Sequence, residues 1–182
     1  AAKLNGILQV VVTVKRISKP CIALASTDSG AYEEFTDMER LRNCRDPFDT
    51  YALHKAALLA CGIVPLMGEL TMEELLGRLG GGFYLSTAVM GIPRGSGLGT
   101  SSILAGACVK AIFAYIGKEV TENELYTHVL CMEQLMSTGG GWQDQVGGLT
   151  NGIKLVSTKP GLLQEIAVEH LVIPEKAREE LQ

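Results

Sequence analysis

The sequence predicts one domain of mixed α and β structure, α/β or α+β, on three observations. Nearly half of the 182 residues are hydrophobic but only 5% are aromatic, which suits an aliphatic core of Ala, Val, Ile and Leu. Short β-branched runs are interleaved with segments whose apolar residues recur at helical spacing. The 21 glycines gather in a few runs, and because ordering glycine is costly, such clusters mark places where backbone must come close to something. The length suffices for one buried core and is too short for two full domains.

Residues 4–16 are β-branched and alternate late in the run, predicting a strand, and residues 20–26 (PCIALAS) predict a second. The polar stretch from Thr27 to Arg45 predicts one more short strand and a surface loop. Asp46, Pro47 and Asp49 together form a helix start signal, with Gly62 as the stop. Two further capping boxes, Thr71 with Glu74 and Thr121 with Glu124, open helices that end near Gly80 and Met136. Between them, residues 83–90 predict a strand and the Ala-rich segment 101–116 a central, buried helix. Residues 152–157 and 165–173 predict two more strands, and Pro174 opens a last helix.

The formal charge is −4, with acidic and basic residues interspersed, and no stretch has the Lys/Arg density of a nucleic-acid or anionic-membrane footprint. A phosphate-bearing ligand remains compatible with this, because backbone N–H groups bind anions without net positive charge. Cys21, Cys44, Cys61, Cys108 and Cys131 are odd in number and widely spaced, so reduced, mostly buried thiols are expected. No secretory leader or bilayer-length apolar run is present, and a soluble, cytoplasmic protein is expected.

The most informative segment is GIPRGSGLGTSS (91–102), between a predicted strand and a predicted apolar helix. Gly95, Gly97 and Gly99 allow tight turns with exposed N–H groups, and Thr100, Ser101 and Ser102 follow at the positive end of the helix dipole, which suits a polyphosphate. A flexible connection with an ordinary hydroxyl cap is the alternative. It is not a Walker loop, since no Lys-Ser/Thr pair follows the last glycine, and its glycine spacing does not fit a dinucleotide fingerprint.

Two carboxylates follow. Glu133 falls at the margin of the apolar stripe of the 121–136 helix, either half-solvated or held by a cation. Asp144 lies in GGGWQDQVGG, predicted to be a glycine-rich loop that either presents the carboxylate to a ligand or uses it in an Asx turn.

The run Pro93-Arg94-Gly95-Ser96-Gly97-Leu98-Gly99-Thr100-Ser101-Ser102 resembles the Pro-x-x-x-Gly-Leu-Gly-Ser-Ser phosphate motif of the GHMP kinases, the family of galactokinase, homoserine kinase and mevalonate kinase. The resemblance implies an α+β fold, the GHMP kinase N-terminal domain, with a mixed sheet packed against helices and a left-handed βαβ nucleotide-binding unit. It implies that Pro93 and the 95–102 backbone and hydroxyls wrap the phosphates of ATP. It further implies that Ser101 and Glu133 ligate Mg²⁺, and that Asp144 is the catalytic base. The phosphate loop, the Asp loop (residues 138–149) and the upstream helix resemble the fucokinase branch. That implies transfer of the ATP γ-phosphoryl group to the anomeric hydroxyl of L-fucose. Gly141, Trp142 and Gln143 would then lie near the sugar; for Trp142, packing on a hexose face and covering the glycine loop are both open.

On this reading residues 1–160 are the ATP-binding domain without its first motif, and 161–182 begin the connection to a C-terminal GHMP domain of the same parent chain. The piece alone is expected to be inactive. The rival readings are a heptose-phosphate or other sugar kinase of the family, and a non-catalytic nucleotide-binding module.

Overall fold

The computed structural model describes residues 3–4, 7–93, 99–138, 141–161 and 165–180. The strand expected over 4–16 is divided. β1 (Lys3–Leu4) and β2 (Ile7–Leu8) pair only with each other, and the long strand β3 starts at Val10 and runs to Ile17. β4 (Ile22–Ser26) follows, and its five residues are all buried, as befits a central strand.

The segment expected to hold a strand and a loop contains β5 (Ala31–Phe35) and a short helix, α1 (Met38–Arg42). Asp37 caps α1 by accepting from the Glu39 N–H at 2.9 Å, and Met38 and Leu41 are buried beneath it. The helix expected from Asp46 begins only at Ala52, as α2 (Ala52–Ala60). The reason is local. Asp46 spends its carboxylate on the Phe48 N–H at 2.9 Å, and Asp49 accepts from Tyr51 N–H at 2.8 Å, which makes 46–51 a chain of tight turns.

The capping boxes are formed as expected: α3 (Met72–Leu79) and, further on, α5 (Glu122–Leu135) each show both reciprocal bonds. Between them lie β6 (Gly82–Val89) and α4 (Thr100–Tyr115). The 141–149 segment, expected to be a loop, is instead α6 (Trp142–Leu149). β7 (Lys154–Thr158), β8 (Ile166–His170) and α7 (Glu175–Glu180) complete the chain.

The main sheet has the order β3-β6-β4-β5, antiparallel except for the parallel pair β4–β6. The fold is therefore the mixed-sheet α+β architecture the sequence implied. Along β4 and β6, paired side chains run from Ile22 with Phe83, through Leu24 with Leu85, to Ser26 with Thr87. The first four belong to the aliphatic core shared with α2, α4 and α5, and the last two open onto a cleft. β7 and β8 form a separate two-stranded ladder that leaves Ile153, Leu155 and Leu171 exposed. All five cysteines are free, and burial pushes the Cys61 thiol up to about 12. Among the described residues no helix is long and apolar enough to cross a membrane.

At the start of β6 a Cβ on Gly82 would stand 1.9 Å from the Lys19 carbonyl oxygen. The oxygen is main chain and a Cβ is held rigidly by its own backbone, so neither side yields cheaply. Gly82→Ala is expected to destabilise the fold by about 3 kcal/mol, read as a lowered urea midpoint with unchanged m-value.

Candidate active site at the head of helix α4

Gly99 caps α4 with φ +65° and supplies no side-chain acceptor, and the first turn carries no acidic residue. The positive end of a sixteen-residue helix is thus left open to an anion. Pro93, Gly99, Thr100, Ser101 and Ser102 are described here; Gly95, Ser96, Gly97 and Leu98 lie outside the described residues.

Three faces of the α4 head meet three different surroundings. On one, Ser102 is buried and its Oγ donates to Glu133 Oε1 on α5 at 2.9 Å. Glu133 is only 8% exposed, and among the described residues no Lys, Arg or His lies within ion-pair distance of it. A buried carboxylate with one hydroxyl donor and no cation is under-compensated. Among the described residues Thr100 Oγ1, at the first residue of α4, and both amide atoms of the fully buried Gln145 on α6 have no hydrogen-bond partner.

On the second face, α6 packs closely. A Cβ on Gly148 would stand 2.8 Å from Ile103 Cγ1 and 3.7 Å from the Gly99 oxygen, and one on Gly106 would stand 2.2 Å from Leu149 Cδ2. The glycines expected to make a loop instead let two helices approach. Asp144 lies in the first turn of this helix, exposed, one turn before Gly148. Gly141 is its N-cap, Trp142 is half-buried and Gln143 is exposed, with its amide folded back over Gly141.

The third face looks into a cleft of about 580 Å³ at the carboxyl ends of β4 and β6, where ligands of open parallel strands commonly sit. It is lined by Thr100, Ser101 and Leu104 from α4, by Ser26 and Thr87 from the strand ends, and by Phe48 and Leu53 from the 46–51 turns and α2. Ser101, unlike Ser102, is exposed and lines the cleft. His54 also lines the cleft but is 3% exposed; its Nε2 lies 2.9 Å from the Ala25 carbonyl and 3.0 Å from Thr87 Oγ1. The cleft residues from Ser26 to His54 were not singled out in the sequence. Phe48 is an apolar residue within a polar turn signal, which is a weak cue, and the others become site residues only through strand pairing.

Comparison with known proteins bears on the fold and the family. Residues 66–152 match the family described as GHMP kinases N terminal domain. The chain is 38% identical over 174 residues to the L-fucokinase/L-fucose-1-P guanylyltransferase of Bacteroides fragilis, a match that takes in 94% of this chain and 18% of that protein. Over 182 residues it is 35% identical to the bifunctional fucokinase/GDP-fucose pyrophosphorylase of Arabidopsis thaliana, covering 100% of this chain and 16% of that one. It therefore spans less than a fifth of either relative's length. A solved D-glycero-D-manno-heptose 1-phosphate kinase from Bacteroides thetaiotaomicron superposes with TM-score 0.62 at 18% identity, over 94% of this chain and 51% of that one, a likeness of fold. The chain contains a GHMP kinase N-terminal domain.

Burial lowers the His54 pKa from 6.5 to about 4, so the ring is neutral at pH 7. The unfolded chain takes up this proton near pH 6.5 while the folded chain does so only near 4, so stability is full above about pH 6.5 and falls as pH drops toward 4. His54→Gln is expected to flatten that part of the pH–stability curve, by up to about 3 kcal/mol at the acid end, as followed by urea unfolding at intervals between the two pH values.

Proposed function

We propose that this chain is the ATP-binding part of a longer L-fucose 1-kinase, converting L-fucose and ATP into L-fucose 1-phosphate and ADP. The observation that carries the reading is the buried Ser102–Glu133 bond at the uncapped head of α4. It puts a buried carboxylate, with no cation partner among the described residues, beside a helix end that favours phosphate. The 35% and 38% identities to fucokinase-containing enzymes support the choice of sugar.

In this reading residues 1–160 form the nucleotide domain and 161–182 begin the connection to the rest of the enzyme. The Gly95–Ser102 segment, opened by Pro93, binds the polyphosphate through main-chain N–H groups and the hydroxyls of Thr100 and Ser101. Mg²⁺ binds with one or two carboxylates plus phosphate oxygens, and Glu133, which has no ion-pair partner among the described residues, fits that donor set. Among the described residues no cluster of three or more acidic, His or Cys side chains forms an all-protein cage. Glu133 would hold the ion, with a hydroxyl at the α4 head beside it; the geometry favours Ser102 for that hydroxyl over Ser101. When bound, the ion offsets charge on the phosphates.

Asp144 orients the anomeric hydroxyl and takes its proton. The hydroxyl oxygen forms a bond to the γ-phosphorus as the bond from that phosphorus to the β–γ bridging oxygen breaks, and ADP leaves. Gly141, Trp142 and Gln143, at the start of α6 with Asp144, would flank the sugar. No part of this requires a membrane or a nucleic acid, and a cytoplasmic setting suits ATP as donor.

In the longer enzyme, Asp144→Asn is expected to lower sugar phosphorylation by roughly 10²- to 10⁴-fold while the ATP Kd stays nearly unchanged. Ser102→Ala, which frees the Glu133 carboxylate, is expected to raise the Mg²⁺ needed for half-maximal ATP binding about tenfold. Loss of nucleotide binding on Asp144→Asn, or phosphorylation of a heptose phosphate or galactose in preference to fucose, would overturn the assignment.

A further inference from the structure

Gln145 is fully buried on α6, and among the described residues neither its amide nitrogen nor its amide oxygen has a hydrogen-bond partner. An interior carboxamide left wholly unpaired is rare, and each unpaired group carries the penalty of leaving water. An apolar side chain of similar length would fill the place without that penalty. Packing alone does not account for the residue.

Its place on the helix says where a partner would lie. Gln145 precedes Gly148 by three residues, so both face the same side of α6. At Gly148 that side meets α4, where a Cβ would stand 2.8 Å from Ile103 Cγ1 and 3.7 Å from the Gly99 oxygen. α6 also packs on α5, and the two ends of that contact are marked by hydrogen bonds. Thr150, the C-cap of α6, is bonded to Tyr126, whereas Thr138, shortly before α6, bonds the Glu133 carbonyl through its N–H at 3.0 Å and its hydroxyl at 3.1 Å. The start of α6 therefore lies at the Glu133 end of α5. Long helical side chains lean toward the start of their own helix, which directs the Gln145 amide toward Glu133 and the head of α4.

A carboxamide asks for a donor and an acceptor together. A carboxylate and a phosphate group offer only acceptors. A sugar hydroxyl offers both, but a hexose needs an opening, and Gln145 has no exposed surface and does not line the 580 Å³ cleft. A hydrated Mg²⁺ on a phosphate also offers both: the ion keeps several waters, whose O–H groups donate, and the phosphate oxygens accept. Water is small enough to reach a buried amide.

We propose that Gln145 is a positioning residue for the metal, its amide oxygen holding a water of the Mg²⁺ bound at Glu133. The inference rests on the reading of Glu133 as the ion's ligand and goes beyond it by naming the side chain that orients the ion's water shell. It also explains why an unpaired amide is kept in the free chain.

The test is Gln145→Met, which keeps the length and removes the polar atoms. In the longer enzyme, ATP binding is titrated calorimetrically across a Mg²⁺ series, and the variant is expected to raise the Mg²⁺ needed for half-maximal binding roughly 10- to 100-fold. In the ligand-free 182-residue chain the same change is expected to hold or raise the melting temperature, because no bond is lost. An unchanged Mg²⁺ midpoint would overturn the proposal, and weakened L-fucose binding at that unchanged midpoint would assign the amide to the acceptor instead. A lowered melting temperature of the free chain would also overturn it, by showing the amide already partnered. Parent ATP binding that needs no Mg²⁺ would overturn the reading of Glu133, and this inference with it.

Discussion

A carboxylate buried at the start of a helix constrains everything around it. Glu133 is 8% exposed and, among the described residues, its side chain is answered by one hydroxyl, Ser102 Oγ, at 2.9 Å. A hydrogen bond to a charged group is worth about 1.5–3 kcal/mol, which does not offset removing a carboxylate from water. The remaining compensation has to come from the α4 dipole and from whatever cation the site attracts. The α4 head can serve in this way because it has no cap of its own: Gly99 brings no side chain and the first turn no acid. α5 brings the carboxylate, and α6 is drawn tight against the same helix through Gly148 and Gly106. The site is thus a property of three helices packed at one end.

The cleft on the far side of that helix head follows from strand order. With β4 and β6 parallel and adjacent, their carboxyl ends emerge together. The side chains along them change from Leu24 and Leu85 to Ser26 and Thr87 as the core gives way to solvent. His54 fastens this floor from beneath, bonded to the Ala25 carbonyl and close to Thr87 Oγ1. Burial keeps its ring neutral, so His54 adds no charge to this floor.

Much of this was legible in the sequence. The capping boxes at Thr71 and Thr121 act locally, and they formed where the residues said. The glycine pattern from Pro93 to Ser102 and the order of Glu133 and Asp144 pointed to the family before any coordinates. What was not legible depends on competition between partners. Asp46 and Asp49 are good helix starters, yet each found a nearer use in the 46–51 turns, so α2 began later. Gly148 read as a loop residue because a glycine's need for space against another helix leaves no mark in its own segment. Likewise, only the pairing of helices could show that Ser102, and not its neighbour Ser101, faces Glu133.

The β7–β8 ladder has a consequence of a different kind. It is bonded to no other described strand, and one surface carries Ile153, Leu155 and Leu171 in the open. A two-stranded ribbon with free outer edges is a ready template for another copy to extend. Glu169, directly across from Leu155, is the charge that guards this surface. Concentrated solutions of the chain therefore face their colloidal hazard at this ribbon rather than at the head of α4.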